Sequence, residues 1–203
     1  MTSFVPPMTM ADFLQASRGT WLNRRSIHHL DHQDDEAADS NLVIEPFDAS
    51  DPVVQRVCDA LQVATDRAAG GGRFWWESNL KEGSKSDDHA AVLVDAPDKS
   101  DPRRGFLLRD KGYVEQQAVV STYAFADDGV LTITTRYDTN VGTERCWFVT
   151  DSVRMRVSSV QCMDGVSMTT YCTEFRCPSP SDLTKLREQA LALQAQIDQS
   201  EVQ

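Results

Sequence analysis

Gly19-Thr20-Trp21-Leu22-Asn23-Arg24-Arg25-Ser26-Ile27-His28-His29 follows a short helical signal and reads as the opening strand of a β-rich domain. Side chains on a strand alternate between two faces, so Trp21, Asn23, Arg25, Ile27 and His29 share one of them. An aromatic ring, a guanidinium and an imidazole on one strand face do not make a simple apolar core. They suit the wall of a cavity that holds an anionic, ring-shaped ligand.

The segments on either side support a β-rich reading. Thr9-Met10-Ala11-Asp12 is a capping-box-like start, with Met8 and Phe13 placed for a hydrophobic staple, and the helix it opens stops at Gly19. A second helix over 51–62 begins at Ser50-Asp51-Pro52, with Pro52 in the first turn, where a missing N–H does no harm. Its apolar stripe is Val54, Val57, Cys58 and Leu61, and Gly70-Gly71-Gly72 lies beyond it. Strands are expected at 20–30, 40–46, 73–80, 89–95, 104–109, 117–126, 129–139, 142–150, 152–162 and 166–177. Asp127-Asp128-Gly129 and Asp164-Gly165 are hairpin signals. From 117 to 177 no helix is long enough for a parallel crossover. About ten such strands close most naturally into an antiparallel up-and-down barrel, which removes exposed edges.

After the break at Ser179-Pro180-Ser181 the character changes. Leu183, Leu186, Ala190, Leu193 and Ile197 recur at spacings of three and four, which predicts an amphipathic helix. The expected organisation is a barrel over 9–177 followed by a helical extension over 178–203.

Composition narrows the function. A formal net charge of −11 argues against a nucleic-acid binder, which needs a basic stripe. No apolar run approaches the roughly 20 residues that span a bilayer, and Met1 to Pro7 shows no signal-peptide pattern. Five cysteines without a CxxC pair fit free thiols in a reducing compartment, and argue against a cysteine-built zinc site. His28 and His29 are adjacent on a strand and face opposite ways, so they do not chelate one ion; no metal site is expected.

Arg154, Arg156 and Ser158 share one face of strand 152–162. That face is either solvent-exposed or the cavity wall, where guanidinium forks clamp carboxylates, with Arg25 as a further cation. In Arg73-Phe74-Trp75-Trp76-Glu77 one tryptophan points in and the other out. Glu144, Asp138 and Glu174 are carboxylates on predicted strands; a carboxylate inside the barrel is expected to carry a raised pKa and to exchange protons with a ligand.

Several segments, taken in order, resemble the S-type phycobiliprotein lyases, the CpcS/CpeS chromophore lyase family. They are Phe13-Leu14 with Gly19-Thr20-Trp21 and Arg25 to His29, Gly70-Gly71-Gly72-Arg73-Phe74-Trp75-Trp76, and Pro102-Arg103-Arg104-Gly105-Phe106 on to Tyr113. Glu144-Arg145-Cys146-Trp147-Phe148, Arg154-Met155-Arg156 and Ser167-Met168-Thr169-Thr170-Tyr171-Cys172-Thr173-Glu174 continue the series.

The resemblance implies a lipocalin-like barrel and no prosthetic group. It implies non-covalent capture of a linear tetrapyrrole, phycoerythrobilin or phycocyanobilin, and its attachment by a thioether to a cysteine of an apo-phycobiliprotein. The acceptor would be a phycoerythrin or phycocyanin subunit, β and in some cases α. By motif, Arg25, Arg154, Arg156 and Ser158 with Trp76 or Trp75 would bind the bilin, and Glu144, His28 and His29 would be catalytic. A homodimer, and a cyanobacterial cytoplasm or plastid stroma as the location, fit the same family. The alternatives are a carrier of a bilin, haem or fatty acid without transfer activity, and an interaction protein that works through its tail.

Overall fold

The computed structural model describes residues 4–31, 34–78, 90–111, 117–163 and 165–177, with positions 185, 188, 189, 191, 192 and 195 of the tail. The elements are α1 (Met10–Ser17), β1 (Gly19–His29), β2 (Asp34–Asp48), α2 (Pro52–Ala60), a 3-10 turn (Thr65–Arg67), β3 (Gly70–Ser78), β4 (Ala91–Pro97) and β5 (Arg104–Arg109). They continue as β6 (Val119–Phe125), β7 (Leu131–Arg136), β8 (Asn140–Thr150), β9 (Val153–Cys162) and β10 (Gly165–Cys177). Each strand pairs antiparallel with its neighbours in sequence, and β1 pairs with β10 from Thr20↔Cys177 to His29↔Met168, so the barrel is closed. The lipocalin-like ten-stranded architecture expected from the sequence is present.

Two strands start earlier than the sequence suggests. β2 runs through the acidic stretch that reads as a loop, because β1 offers hydrogen-bonding partners across from it. Arg24 pairs with Asp39 at 3.3 Å, His28 with Asp35 at 2.8 Å and His29 with Glu36 at 3.1 Å. β3 includes the triple glycine, which propensity alone assigns to a linker. A Cβ at Gly71 would collide with the Leu93 carbonyl and the Phe47 ring, so glycine here allows two chains to approach closely.

α1 plugs one end of the barrel. Thr9 caps it by accepting from the Asp12 N–H, and Met10, Phe13 and Leu14 enter the core beside Trp21, Leu42 and Phe148. Trp21 is fully buried, and its Nε1 donates to the Ser17 carbonyl at 2.8 Å. Arg176, at the end of β10, lies 4.2 Å from the centre of the Trp21 ring and donates to the carbonyls of Ala16 and Arg18. First strand, last strand and helix C-terminus are thereby joined at the floor. α2, capped by Asp51, buries Val53, Val54, Val57 and Cys58 against Val94 and Leu108 on the outside of β4 and β5.

At the tail, the described positions are helical and exposed. The predicted stripe Leu183, Leu186, Ala190, Leu193 and Ile197 lies outside the described residues, as does the Asp164 half of one hairpin signal.

Candidate ligand-binding site

Above α1 the barrel holds a small cavity that opens to solvent. Leu14, Leu42, Phe74, Trp76, Leu107 and Ile133 supply apolar wall, and Arg109, Glu144, Arg154 and Arg156 supply charge.

The charges form a ladder built by alternation. Arg154 and Arg156 stand on the inner face of β9, opposite Glu174 and Cys172 of β10 on one side and Phe148 and Cys146 of β8 on the other. Arg154 Nε donates to Glu174 Oε2 at 2.6 Å, and its Nη1 donates to Ser17 Oγ at 2.6 Å. Arg156 Nε donates to the other Glu174 oxygen at 3.3 Å, and its Nη1 lies 3.8 Å from Glu144 Oε1. Arg109 closes the series, donating from Nη2 to Glu144 Oε2 at 2.9 Å and from Nε to Ser121 Oγ at 3.1 Å. Arg25 adds a fourth guanidinium. It sits opposite Cys172 in the β1–β10 register, which places it across that thiol from Arg156. Arg25 makes no ion pair among the described residues. Among the described residues, four cations, Arg25 included, face two carboxylates on this ladder. An interior with surplus positive charge is poised for an anion, because neutralising buried charge recovers part of the desolvation penalty.

Glu144 corrects an expectation. Burial alone pushes its pKa up, but the Arg109 and Arg156 guanidiniums outweigh that, and the net shift is downward. Glu144 is held as a carboxylate rather than stored as an acid. The raised carboxyl group is Asp95, buried at the barrel floor, where desolvation lifts it to about 6 against a hydrogen bond from the Tyr123 hydroxyl at 2.8 Å. Cys146 lines the cavity, and burial with the nearby Glu144 charge pushes its thiol up to about 12. Burial also raises Cys172. Neither interior cysteine is a thiolate nucleophile.

Of the residues singled out in the sequence, the structure brings Arg25, Glu144, Arg154, Arg156, Ser158 and Trp76 to the barrel interior. Ser158 stands opposite Glu144 in the β8–β9 register. Trp75 does not join them: alternation sends it outward while Trp76 turns in, so the two cannot share a stacking role. His28 also faces out, with its ring against Tyr171 and its Nδ1 on Asp35. His29 shares the inward face of β1 and is held by Glu36, but neither histidine lines the cavity.

Sequence reasoning missed Arg109 and undervalued Glu174. Arg109 alternates with Leu107 on β5, and Glu174 with Cys172 on β10. Two arginines on one strand face imply counter-charges on a neighbouring strand, and that was the available signal. Among the described residues no three His, Cys, Asp or Glu side chains converge in a way that would hold a metal ion.

The model of the CpeS-like protein family matches residues 9–177, the whole barrel and its plug. The chain belongs to the CpeS-like family. It is 61% identical, over 91% of its length and 92% of the relative, to the chromophore lyase CpcS/CpeS of Synechococcus sp. (strain WH8020). It is 33% identical to the phycocyanobilin lyase subunit CpcS of a Picosynechococcus species, over 81% of this chain and 84% of the relative. The S-type phycobiliprotein lyase CpeS of Guillardia theta superposes with a TM-score of 0.68 at 28% identity, covering 85% of this chain and 94% of that one. CpeS-like membership accounts for the barrel, and the charged ladder is the feature inside it that a ligand would meet.

Proposed function

We propose that this protein is a bilin lyase: it binds a linear tetrapyrrole inside the barrel and directs its addition to a cysteine of an apo-phycobiliprotein. The observation that carries this reading is the surplus of guanidinium groups in an otherwise apolar cavity. A bilin is a flexible apolar chain of rings bearing two propionates, and among the described residues the ladder with Arg25 carries four guanidiniums to two carboxylates. A fatty-acid carrier would need one cation, and the described interior offers no histidine on the cavity wall for a haem iron.

Arg25 and Arg156 flank Cys172 from β1 and β9, so one propionate can span them with charge-assisted hydrogen bonds. Trp76 supplies a ring face on the cavity wall for a pyrrole. Glu144, kept anionic by Arg109 and Arg156, is suited to accept pyrrole N–H bonds and to stabilise a protonated, more electrophilic chromophore. The reaction is an addition. The acceptor's S–H bond breaks, a carbon–sulfur bond and a carbon–hydrogen bond form across the ring-A double bond, and no oxidant or reductant is consumed. The protein contributes orientation and exclusion of other thiols, its own Cys146 included. Such work belongs where phycobiliproteins are assembled, in a cyanobacterial cytoplasm or a plastid stroma.

The test is titration with phycoerythrobilin and with phycocyanobilin, followed by addition of apo-subunits of phycoerythrin or phycocyanin, β and α. A shifted spectrum on binding and acid-stable colour on the acceptor support the reading and identify the pigment. Binding without transfer to any acceptor reduces the protein to a carrier, and no binding of either pigment rejects the proposal.

A further inference from the structure

The inner faces of β6 and β7 are largely apolar near the plug, where Tyr123 and Phe125 of one strand and Leu131 and Ile133 of the other join the core. Phe125 touches Phe13 of α1. Farther from the plug each face changes to a small hydroxyl. Ser121 and Thr135 stand opposite each other in register, and both are buried. Valine at either position would suit a strand as well and would bury no polar atom. Buried hydroxyls need partners, and these two have each other and a guanidinium. Ser121 Oγ and Thr135 Oγ1 lie 2.7 Å apart, and Arg109 Nε donates to Ser121 Oγ at 3.1 Å.

The same guanidinium reaches Glu144 through Nη2 at 2.9 Å. Four consecutive strands, β5 to β8, thus contribute Arg109, Ser121, Thr135 and Glu144 to one connected set. A guanidinium is planar and rigid, so fixing Nε fixes where its Nη groups point. The bond to Ser121 therefore aims Arg109 at the carboxylate. Arg156, also beside Glu144, is held more loosely. It reaches Glu174 at 3.3 Å, the Cys172 sulfur at 3.3 Å and Glu144 at 3.8 Å, and its side chain is 16% exposed against 2% for Arg109. The longer, more exposed contacts are the ones a ligand anion can displace. Among the described residues the other charges around this pair are Arg154, Glu174 and Arg25, from β9, β10 and β1, with the Cys146 and Cys172 thiols between them.

We propose that Ser121 and Thr135 are positioning residues for the bilin addition: they hold the Arg109 guanidinium on Glu144, so that this carboxylate keeps a cation when Arg156 turns to a propionate. The consequence for transfer rests on the bilin reading, whereas the positioning itself rests on the buried network alone.

Ser121→Ala with Thr135→Val tests it, beside Thr135→Ser, which keeps both hydroxyls. Glu144 is followed through the carboxyl carbon resonances of labelled glutamate, assigned with Glu144→Gln. In pigment-free protein the double variant should move the Glu144 titration to higher pH, because a loosened Arg109 favours the anion less, and Thr135→Ser should match wild type. With pigment and acceptor, the double variant should slow transfer about ten-fold to a hundred-fold and move the acid limb of its pH profile upward, while affinity for the pigment stays within about three-fold. Should that pair unfold, Ser121→Ala alone makes the comparison. A Glu144 titration that is the same in all variants overturns the proposal. So does unchanged transfer, and so do affinity and transfer that fall in parallel, which marks a merely structural role. A wild type that takes up no pigment rejects the bilin reading, and the titration then decides the positioning by itself.

Discussion

Arg154 and Glu174 form a 2.6 Å ion pair in which neither side chain reaches solvent: Arg154 is 4% exposed and Glu174 is 0% exposed. The arginine is enclosed by the rings of Trp21, Phe13 and Phe148 and is bonded to Ser17 of α1. It therefore fastens the plug to the barrel. Arg154→Ala would leave a buried carboxylate half-compensated, and stability should fall by about 3–5 kcal/mol. Urea unfolding measures this, and a variant as stable as wild type would place the ligand clamp back on Arg154.

Arg25 is the converse case, a half-buried guanidinium on the inner face with no ion pair among the described residues. Arg25→Met should leave the unfolding midpoint unchanged and weaken bilin binding by about ten-fold to a hundred-fold, the loss of one charge-assisted contact. Spectroscopic titration of folded protein decides between that outcome and unaltered affinity.

Trp76 and Trp75 differ only in which way they face. Trp76→Ala should shift the absorption maximum of bound bilin, whereas Trp75→Ala should leave it in place. A shift with the outer tryptophan alone would refute the stacking assignment.

Asp95 sets a pH dependence of stability. Burial raises it to about 6 in the fold, against about 3.9 in an unfolded chain. Between those values the folded protein keeps a proton that the unfolded chain has lost, so stability is full below about pH 4 and declines as pH rises through 6. The decline attributable to this group is about 3 kcal/mol. Asp95→Asn should remove that decline, which chemical denaturation at mildly acidic and mildly alkaline pH would register as a flatter profile.

Cys146 faces the cavity as a thiol pushed up to about 12. Cys146→Ser should transfer bilin at a rate within about two-fold of wild type, since a neutral thiol is a poor nucleophile. An acceptor left without pigment, or a chromophore covalently trapped on Cys146 of the wild type, would show that the thiol takes part.

The sequence resolved the elements well where side-chain period spoke clearly. Alternation from Trp21 to His29, and again across Arg154, Arg156 and Ser158, grouped the right residues on one strand face, and barrel closure turned that face inward. It failed where pairing overrides local preference. The acidic run before Ser40 became strand because His28, His29 and Arg24 stand across from it, and the triple glycine became strand because Leu93 and Phe47 crowd it. The candidate site was half legible, since single-strand patterns named the arginines without their partners.

By itself the sequence determined an up-and-down series of about ten strands, a short helix before them, strand faces carrying cations and a chain too acidic for nucleic acid. These follow from periodicity, caps, turns and composition, all local properties of the chain. Only the tertiary structure decided that Arg154 serves the fold while Arg25 stands ready, that Glu144 is an anion while Asp95 is the proton holder, and that Trp76 rather than Trp75 meets the cavity. Each of those outcomes depends on which charges and rings lie a few ångströms away across a strand pair. That distance is set by register and barrel closure, and neither is written in any one segment.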